Sequence, residues 1–216
     1  MSRSWLFWTA GMLLALGCTG SGNNDDEEND DTGGGSILPP GEPVGNVWSY
    51  AGISGNRSWL YSREDTRQMI VDDVGSAQNG TTISNSLTYI AEDGEAQVYY
   101  EHTIDWAAGP GIGIEIKGYD GTIYSTPIRL ADPDAFIGDV VTTPQANSVF
   151  TSTLLGFEDC PNSFTDKWTC LHLEVSADSS EYFVGEWYLA PEWGPAIFRP
   201  AVEDYDWVLR QANAIE

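Results

Sequence analysis

Residues 96–106, AQVYYEHTIDW, are the stretch that decides the fold class of this chain. Every second side chain in it belongs to one set, which is Val98, Tyr100, His102, Ile104 and Trp106. Strict alternation over this length is typical of a β-strand with one face on a core and the other in water. A helix would need apolar positions three and four apart, so the stretch predicts a strand.

The same alternation recurs along the chain between short turn signals. It places on shared faces Trp48 with Tyr50, Trp59 with Tyr61, the set Ile112, Ile114 and Ile116, the set Leu171, Leu173 and Val175, and the set Tyr205, Trp207 and Leu209. The turn signals are Asn79-Gly80, Asp93-Gly94, Gly109-Pro110 and Asp120-Gly121, of the kind that tight hairpins use. Only residues 133–137 and the last residues suggest a helical turn. The pattern predicts ten to twelve strands.

An antiparallel sheet of ten to twelve strands has to curl, split or close, because a flat one leaves long unpaired edges. The sequence therefore predicts an all-β domain over residues 46–216, built as a strongly curved antiparallel sheet, either a half-barrel or a barrel. A two-sheet β-sandwich is the alternative.

The charge balance excludes two classes of partner. Nine Lys and Arg stand against 33 Asp and Glu, which gives a formal net charge of −24. Nucleic acids and anionic membrane surfaces are bound through clustered cations, and this chain has few. We expect no nucleic-acid partner.

The N-terminus carries the features of a secretory signal. Arg3 is the only charge before the apolar run at residues 5–16, WLFWTAGMLLAL. A helix of this length covers about 18 Å, which is short of a ~30 Å hydrocarbon core. Residues 1–17 are therefore predicted to be a signal peptide, which is cleaved in the mature protein.

The run ends in residues 14–18, LALGC, which resemble the lipobox of bacterial lipoproteins. Ala15 departs from the family pattern, which usually has Leu three residues before the cysteine. The resemblance implies cleavage before Cys18, a diacylglycerol thioether on that cysteine and a palmitate-type acyl group on its amine. Because Thr19 follows in place of Asp, it also implies sorting to the outer membrane, with the domain facing the periplasm or the cell surface.

The chain that follows the anchor reads as a spacer. Residues 19–46 contain seven acids and no bases, with clustered Gly, Asn and Pro. Such a block cannot bury enough apolar surface to order itself. Residues 18–45 are thus predicted to be the lipidated cysteine and a flexible acidic tether with a reach of about 30 Å.

Two cysteines remain for the folded domain. With Cys18 assigned to lipid, Cys160 and Cys170 form the only available pair. Disulfides persist in exported proteins, and the residues between this pair suit a hairpin connection. We expect a structural disulfide.

The motifs of known chemistry are missing from the sequence. His102 and His172 lie in separate strands without metal-ligand spacing, and no nucleophile elbow or phosphate-binding loop is present. The sequence therefore predicts no catalytic residue, no metal and no cofactor. The carboxylates, which are abundant, leave a hydrolase based on paired acids as a third and weaker hypothesis.

The aromatic residues give the last signal. Residues 45–50, GNVWSY, and residues 187–194, WYLAPEWG, resemble the G-N-x-W-x-Y start and W-Y-x-P-x-x-G-like end of poorly characterised envelope lipoproteins. Glu192-Trp193 replaces the smaller residues that are usual before the glycine. This resemblance implies a curved β-sheet of unassigned function. The architecture also resembles periplasmic lipid-carrier half-barrels, whose concave face holds acyl chains.

Two functional hypotheses follow from the aromatics. A concave face that includes Trp106, Trp187 and Trp207 could bind an apolar ligand. Alternatively these side chains fill the core, and the domain is a structural or protein-interaction module. A trough open to solvent would favour the first hypothesis, and a filled interior would favour the second.

Overall fold

The computed structural model describes residues 41–52, 57–63, 67–92, 98–160 and 169–214. They form a 3₁₀ helix, Val47–Ala51, and twelve β-strands. The strands are β1 Arg57–Ser62, β2 Gln68–Asn79, β3 Thr82–Glu92, β4 Val98–Gly109, β5 Gly113–Tyr119, β6 Thr122–Ala131, β7 Val140–Pro144, β8 Val149–Asp159, β9 Thr169–Ser176, β10 Gly185–Ala190, β11 Gly194–Pro200 and β12 Trp207–Ala214.

All twelve strands belong to one antiparallel sheet that is nearly closed into a barrel. Its order is β6-β5-β4-β3-β2-β1-β12-β11-β10-β9-β8-β7, so every ladder joins neighbours in sequence except the one between β1 and β12. This confirms the predicted strongly curved sheet. A single continuous sheet also decides against the two-sheet sandwich.

The edge strand β6 meets the other edge strand, β7, and its neighbour β8 through side chains. Ser152 Oγ donates to the Leu130 carbonyl at 2.7 Å, and the Arg129 amide donates to Thr143 Oγ1 at 3.1 Å. Farther along, Gln145 donates from Nε2 to a carbonyl of β6 at 2.7 Å. We call this line of contacts the seam. It occupies edge groups that would otherwise be unpaired.

The inward faces of the strands build one core, as the alternation predicts. Ile104, Trp106, Ile114 and Ile116 are buried, as are Trp59, Tyr61, Leu171, Leu173, Val175, Trp207 and Leu209. Rings from different elements stack inside, including Phe150 of β8 on Phe183 of the β9–β10 connection, with centroids 5.5 Å apart. Burial of large apolar side chains is the main driving force for folding, so this core holds the barrel together.

The segment around Trp48 and Tyr50 is helical, where the sequence predicted a strand. Val47 and Ala51, four residues apart, are buried against the core, and this spacing suits a helical turn rather than a strand. Gly52 then lies so close to β11 that a Cβ on it would be 2.3 Å from the Gly194 amide nitrogen. The short helix therefore packs at one end of the barrel.

Several local predictions can now be compared with the structure. Asp120 and Gly121 have φ values of 47° and 75°, so the predicted hairpin turn is confirmed. Asp93-Gly94 lies outside the described residues. Tyr205 and Ile112 lie in connections rather than in strands. The last described residues belong to β12, where the sequence suggested a helical turn.

The antiparallel order gives the barrel two distinct ends. The plug end carries the 3₁₀ helix and the β10–β11 connection, where the Glu192 amide donates to the Ser49 carbonyl at 2.7 Å. The polar end carries the β1–β2, β5–β6, β9–β10 and β11–β12 connections. The polar end is where charged and hydroxyl groups enter the barrel.

Candidate functional site

The three tryptophans of the predicted ligand face lie inside the barrel. Trp106 is 2% exposed, and Trp187 and Trp207 are 0% exposed. The edge of the Trp106 ring meets Trp187 with centroids 5.5 Å apart, and Trp187 stacks on Phe198 at 3.7 Å. Phe198 in turn pairs across strands with Trp207. The structure thus brings the three together and buries them under other side chains of the same chain.

The predicted cysteine roles concern two separate parts of the chain. Cys18 lies outside the described residues. Cys160 and Cys170 form a disulfide, with their Cα atoms 4.9 Å apart, where β8 ends and β9 begins. The bond packs in a small apolar cluster, separate from the main core, with Tyr188, Ala190, Trp193 and Ala196. Its location is that of a structural bridge between two strands.

A single carboxylate at the polar end gathers three donors. Glu203 Oε2 lies 3.2 Å from Arg63 Nη1 and 2.9 Å from Trp207 Nε1. Tyr182 Oη donates to the same oxygen at 3.3 Å. The buried Arg63 guanidinium also lies over the Tyr205 ring, 4.2 Å from its centroid. Removal of either ion-pair partner would leave a largely buried charge, so this contact fixes the β11–β12 connection to the barrel.

A histidine–carboxylate pair lies beside it. His102 Nδ1 is 2.9 Å from Asp120 Oδ2 and 2.9 Å from Tyr119 Oη. Asp120 also accepts from the Thr103 amide at 2.7 Å. A carboxylate facing Nδ1 favours the tautomer in which that nitrogen carries the proton. Because the Tyr182 amide donates to Tyr119 Oη at 3.1 Å, this pair and the Glu203 cluster form one network.

Tyr119 of this network and Tyr124 of β6 are held in their neutral form. Burial raises the pKa of Tyr119 to about 12, and the negative charges of Asp120 and Glu181 raise it as well, against a lowering contribution from the Tyr182 amide. Burial, and after it the charge of Glu181, also raises the pKa of Tyr124 well above its usual range. These hydroxyls can donate and accept hydrogen bonds, but they are poor nucleophiles at neutral pH.

A row of charges crosses the outer face from β8 to β12. His172 Nδ1 lies 2.9 Å from Glu158, and His172 Nε2 lies 3.6 Å from Glu186. Glu186 is paired with Arg199 at 2.7 Å, and Arg199 binds Asp206 through two nitrogens at 2.6 and 2.9 Å. The bonds to Asp206 are the largest reason why the pKa of Arg199 is raised above its usual value. The row ties five neighbouring strands or their ends together.

Two acidic residues outside the polar-end network are engaged by arginines. Asp132 accepts from Arg129 at 2.8 Å, and Asp206 is held by Arg199. In the part of the chain that the structure describes, no group of three or more His, Cys, Asp and Glu is arranged to hold a metal ion. The geometry therefore favours structural ion pairs at these positions.

Sequence reasoning missed the polar-end network. Its members are far apart in the chain, with Arg63 and Glu203 separated by 140 positions. The one local signal was the Asp120-Gly121 turn, which places Asp120 next to β4. The alternation also put His102 on the inward face, where it lies between the rings of Tyr119 and Tyr182.

Comparison with known proteins adds no homologue to these observations. No protein-family model matches the chain. No curated protein and no solved structure matches it either. Within the described ranges, no helix is long and apolar enough to cross a membrane.

Proposed function

We propose that this chain is a lipid-anchored envelope protein whose β domain works as a structural or protein-interaction module. The observation that carries the second part is the burial of Trp106, Trp187 and Trp207 under other side chains of the same barrel. An apolar ligand on that face would have to displace close-packed rings. Displacing well-packed core side chains costs several kcal/mol, on the order of a large-to-small core substitution.

The anchor rests on sequence. The apolar run and the LALGC motif support lipidation of Cys18, and the acidic spacer at residues 18–45 supports a domain held away from the bilayer surface. The membrane partner is then the bilayer that holds the acyl chains. The outer membrane is the location that Thr19 favours.

Two other functions receive less support. An apolar-ligand carrier on the tryptophan face is the second candidate, and it would need the interior to open. A hydrolase based on paired acids is the third, and it is weakened because Asp132, Glu203 and Asp206 are bound to arginines. The first proposal needs no rearrangement of the barrel.

One mass measurement tests both parts of the proposal. The full chain is expressed with its N-terminus intact, extracted from membranes in detergent, and weighed under native and denaturing conditions. We expect covalent acyl mass that survives denaturation and is lost in a Cys18→Ala variant. We also expect no additional mass that denaturation removes.

The possible results separate the anchor from the barrel. A denatured mass without acyl groups would refute the anchor. A native adduct of a few hundred daltons or more that denaturation removes would refute the filled-barrel module and favour a carried ligand.

A further inference from the structure

The β11–β12 connection at the polar end, residues 201–206, is flanked by two cavities. One has a volume of about 260 Å³ and is lined by carboxylates of Glu174, Glu186 and Glu203, by Arg199, and by apolar groups that include Val184 and Pro200. The other has a volume of about 290 Å³ and is lined by Asp204, Tyr205, Asp206 and Arg210, among others. Acids outnumber bases in both linings. Either cavity is large enough to receive a single long side chain.

Two glutamates in the first cavity face each other, and nearby cations do not fully balance their negative charges. Glu174 and Glu186 are direct cross-strand partners on β9 and β10, an arrangement that is destabilising for like charges. Glu186 is paired with Arg199. Glu174 is exposed and forms no ion pair with any residue that the structure describes. A cation supplied from outside would offset this repulsion.

Large apolar side chains project from the same connection. Val202 is 51% exposed and Tyr205 is 44% exposed. Tyrosine, with an apolar ring and a polar tip, is among the residues that contribute most to protein interfaces. The surface therefore combines apolar contact area with negative charge on both sides of it.

The connection is held in place before any partner arrives. Glu203 is fixed by Arg63, Tyr182 and Trp207, and Asp206 is fixed by Arg199. The Ala201 amide donates to the Val184 carbonyl at 2.8 Å. A preorganised surface loses little entropy on binding, which favours affinity.

The location suits a tethered protein. Gly41 and Val44, the first part of the chain that the structure describes, bond to Ile137 and Ala135 in the β6–β7 connection at the plug end. The polar end is therefore opposite the place where the predicted tether joins the barrel. If the proposed anchor holds, this surface lies at the end of the barrel farther from the tether's point of attachment.

We infer that residues 201–206 and their two flanking cavities are a docking surface for a basic segment of a partner protein. The inference deepens the proposed interaction function and rests on it. Arg or Lys side chains of the partner would enter the cavities beside Glu174 and Asp204, and apolar side chains between them would contact Val202 and Tyr205. The net charge of −24 would speed the encounter with such a partner.

The test measures binding of a short fluorescein-labelled peptide of arginine and leucine to the full chain by fluorescence anisotropy. The buffer contains about 150 mM salt, which screens general attraction between exposed charges. The same peptide with citrulline in place of arginine removes the charge and keeps the shape. Binding is compared for wild type, Glu174→Gln, Tyr205→Ala and the matched control Glu101→Gln, which neutralises an exposed glutamate on β4.

We expect the arginine peptide to bind and the citrulline peptide to bind at least about tenfold more weakly. Glu174→Gln and Tyr205→Ala should each weaken binding about tenfold, and Glu101→Gln by less than about twofold. Thermal unfolding of each variant checks folding, and Glu174→Gln should be as stable as wild type because it relieves a like-charge pair.

Equal losses in Glu174→Gln and the control Glu101→Gln would overturn the inference in favour of general acidic attraction. No loss in any variant, or equal binding of the two peptides, would overturn it as well. If the full chain carries no acyl groups but still binds the peptide at this surface, the proposed anchor is refuted. The docking surface is then supported independently of the anchor.

Discussion

Tyr119 shows how one side chain couples charge to folding at the polar end. Its hydroxyl contacts the His102 ring and the Tyr182 amide, and its pKa is raised to about 12, mainly by burial. The unfolded chain has an ordinary tyrosine pKa of about 10. Its neutral form therefore contributes stability that is fully present below about pH 10 and is lost as the pH rises through about 12.

We predict that Tyr119→Phe lowers the free energy of unfolding by about 1 kcal/mol at pH 8, because two hydrogen bonds are lost. Between about pH 10 and pH 12, the variant should lose less stability than wild type, because phenylalanine has no proton to release. Urea unfolding across this range measures both effects.

Tyr205→Phe is the control for that experiment, since it removes a hydroxyl from an exposed ring at the same end. In the alkaline range, the free energy of unfolding of this variant should fall with pH as steeply as that of wild type. Parallel profiles for Tyr119→Phe and wild type would contradict the role given to Tyr119.

At the scale of elements, the seam where β6 meets β7 and β8 is the place where side chains replace a backbone ladder. Ser152 is buried, and its hydroxyl is bonded to the Leu130 carbonyl. We predict that Ser152→Ala destabilises the domain by about 1–3 kcal/mol, because a buried carbonyl is left without a donor. Chemical denaturation measures the loss.

Hydrogen exchange locates the effect of that substitution. Amides of β6 near Leu130 should exchange faster in Ser152→Ala, and amides of β9 should be unchanged. Ser58→Ala, which alters a half-buried serine of β1, is the matched control. It should neither destabilise the domain nor speed the exchange of the β6 amides. Uniform acceleration over all strands would show global destabilisation and would count against a local seam.

At the scale of the whole molecule, repulsion among the acids opposes folding. With nine bases against 33 acids, the compact state concentrates negative charge. We predict that the free energy of unfolding rises by about 1 kcal/mol between ~10 mM and ~300 mM sodium chloride, as screening shortens the range of the repulsion. Thermal unfolding at matched ionic strength in tetramethylammonium chloride should show the same rise. A rise with sodium alone would indicate a bound sodium ion instead.

Local sequence patterns predicted most of the fold. They could not predict contacts between residues that are far apart in the chain. The alternation of Ile104 with Trp106 reports which face is buried, because a strand presents successive side chains to opposite faces. Val47 and Ala51 belong to a stretch that is too short to show whether its apolar residues follow a helical or a strand period. Packing at the end of the barrel favours a helical turn there. The contact of Arg63 with Glu203 depends on the β1–β12 ladder, which no local pattern encodes.

The candidate site divides in the same way. The disulfide could be predicted because only two cysteines remained after Cys18 was assigned to lipid. The three tryptophans were correctly placed on inward faces, but alternation reports which way a side chain points and not whether the space in front of it is filled. The polar-end network needs side chains from seven different connections or strands, so only the closed barrel assembles it.

Synthesis delivers β1 first and β12 last, yet these two strands are hydrogen-bonded neighbours. As the chain emerges, hairpin pairing can build two separate meanders, β1–β6 and β7–β12, because β6 and β7 share no ladder. Arrival of Trp207–Ala214 joins them by a backbone ladder with β1. A chain cut short before that strand keeps bare edges on β1 and β11, and bare edges pair with other molecules. We therefore expect a chain truncated before Trp207 to aggregate instead of persisting as a smaller barrel.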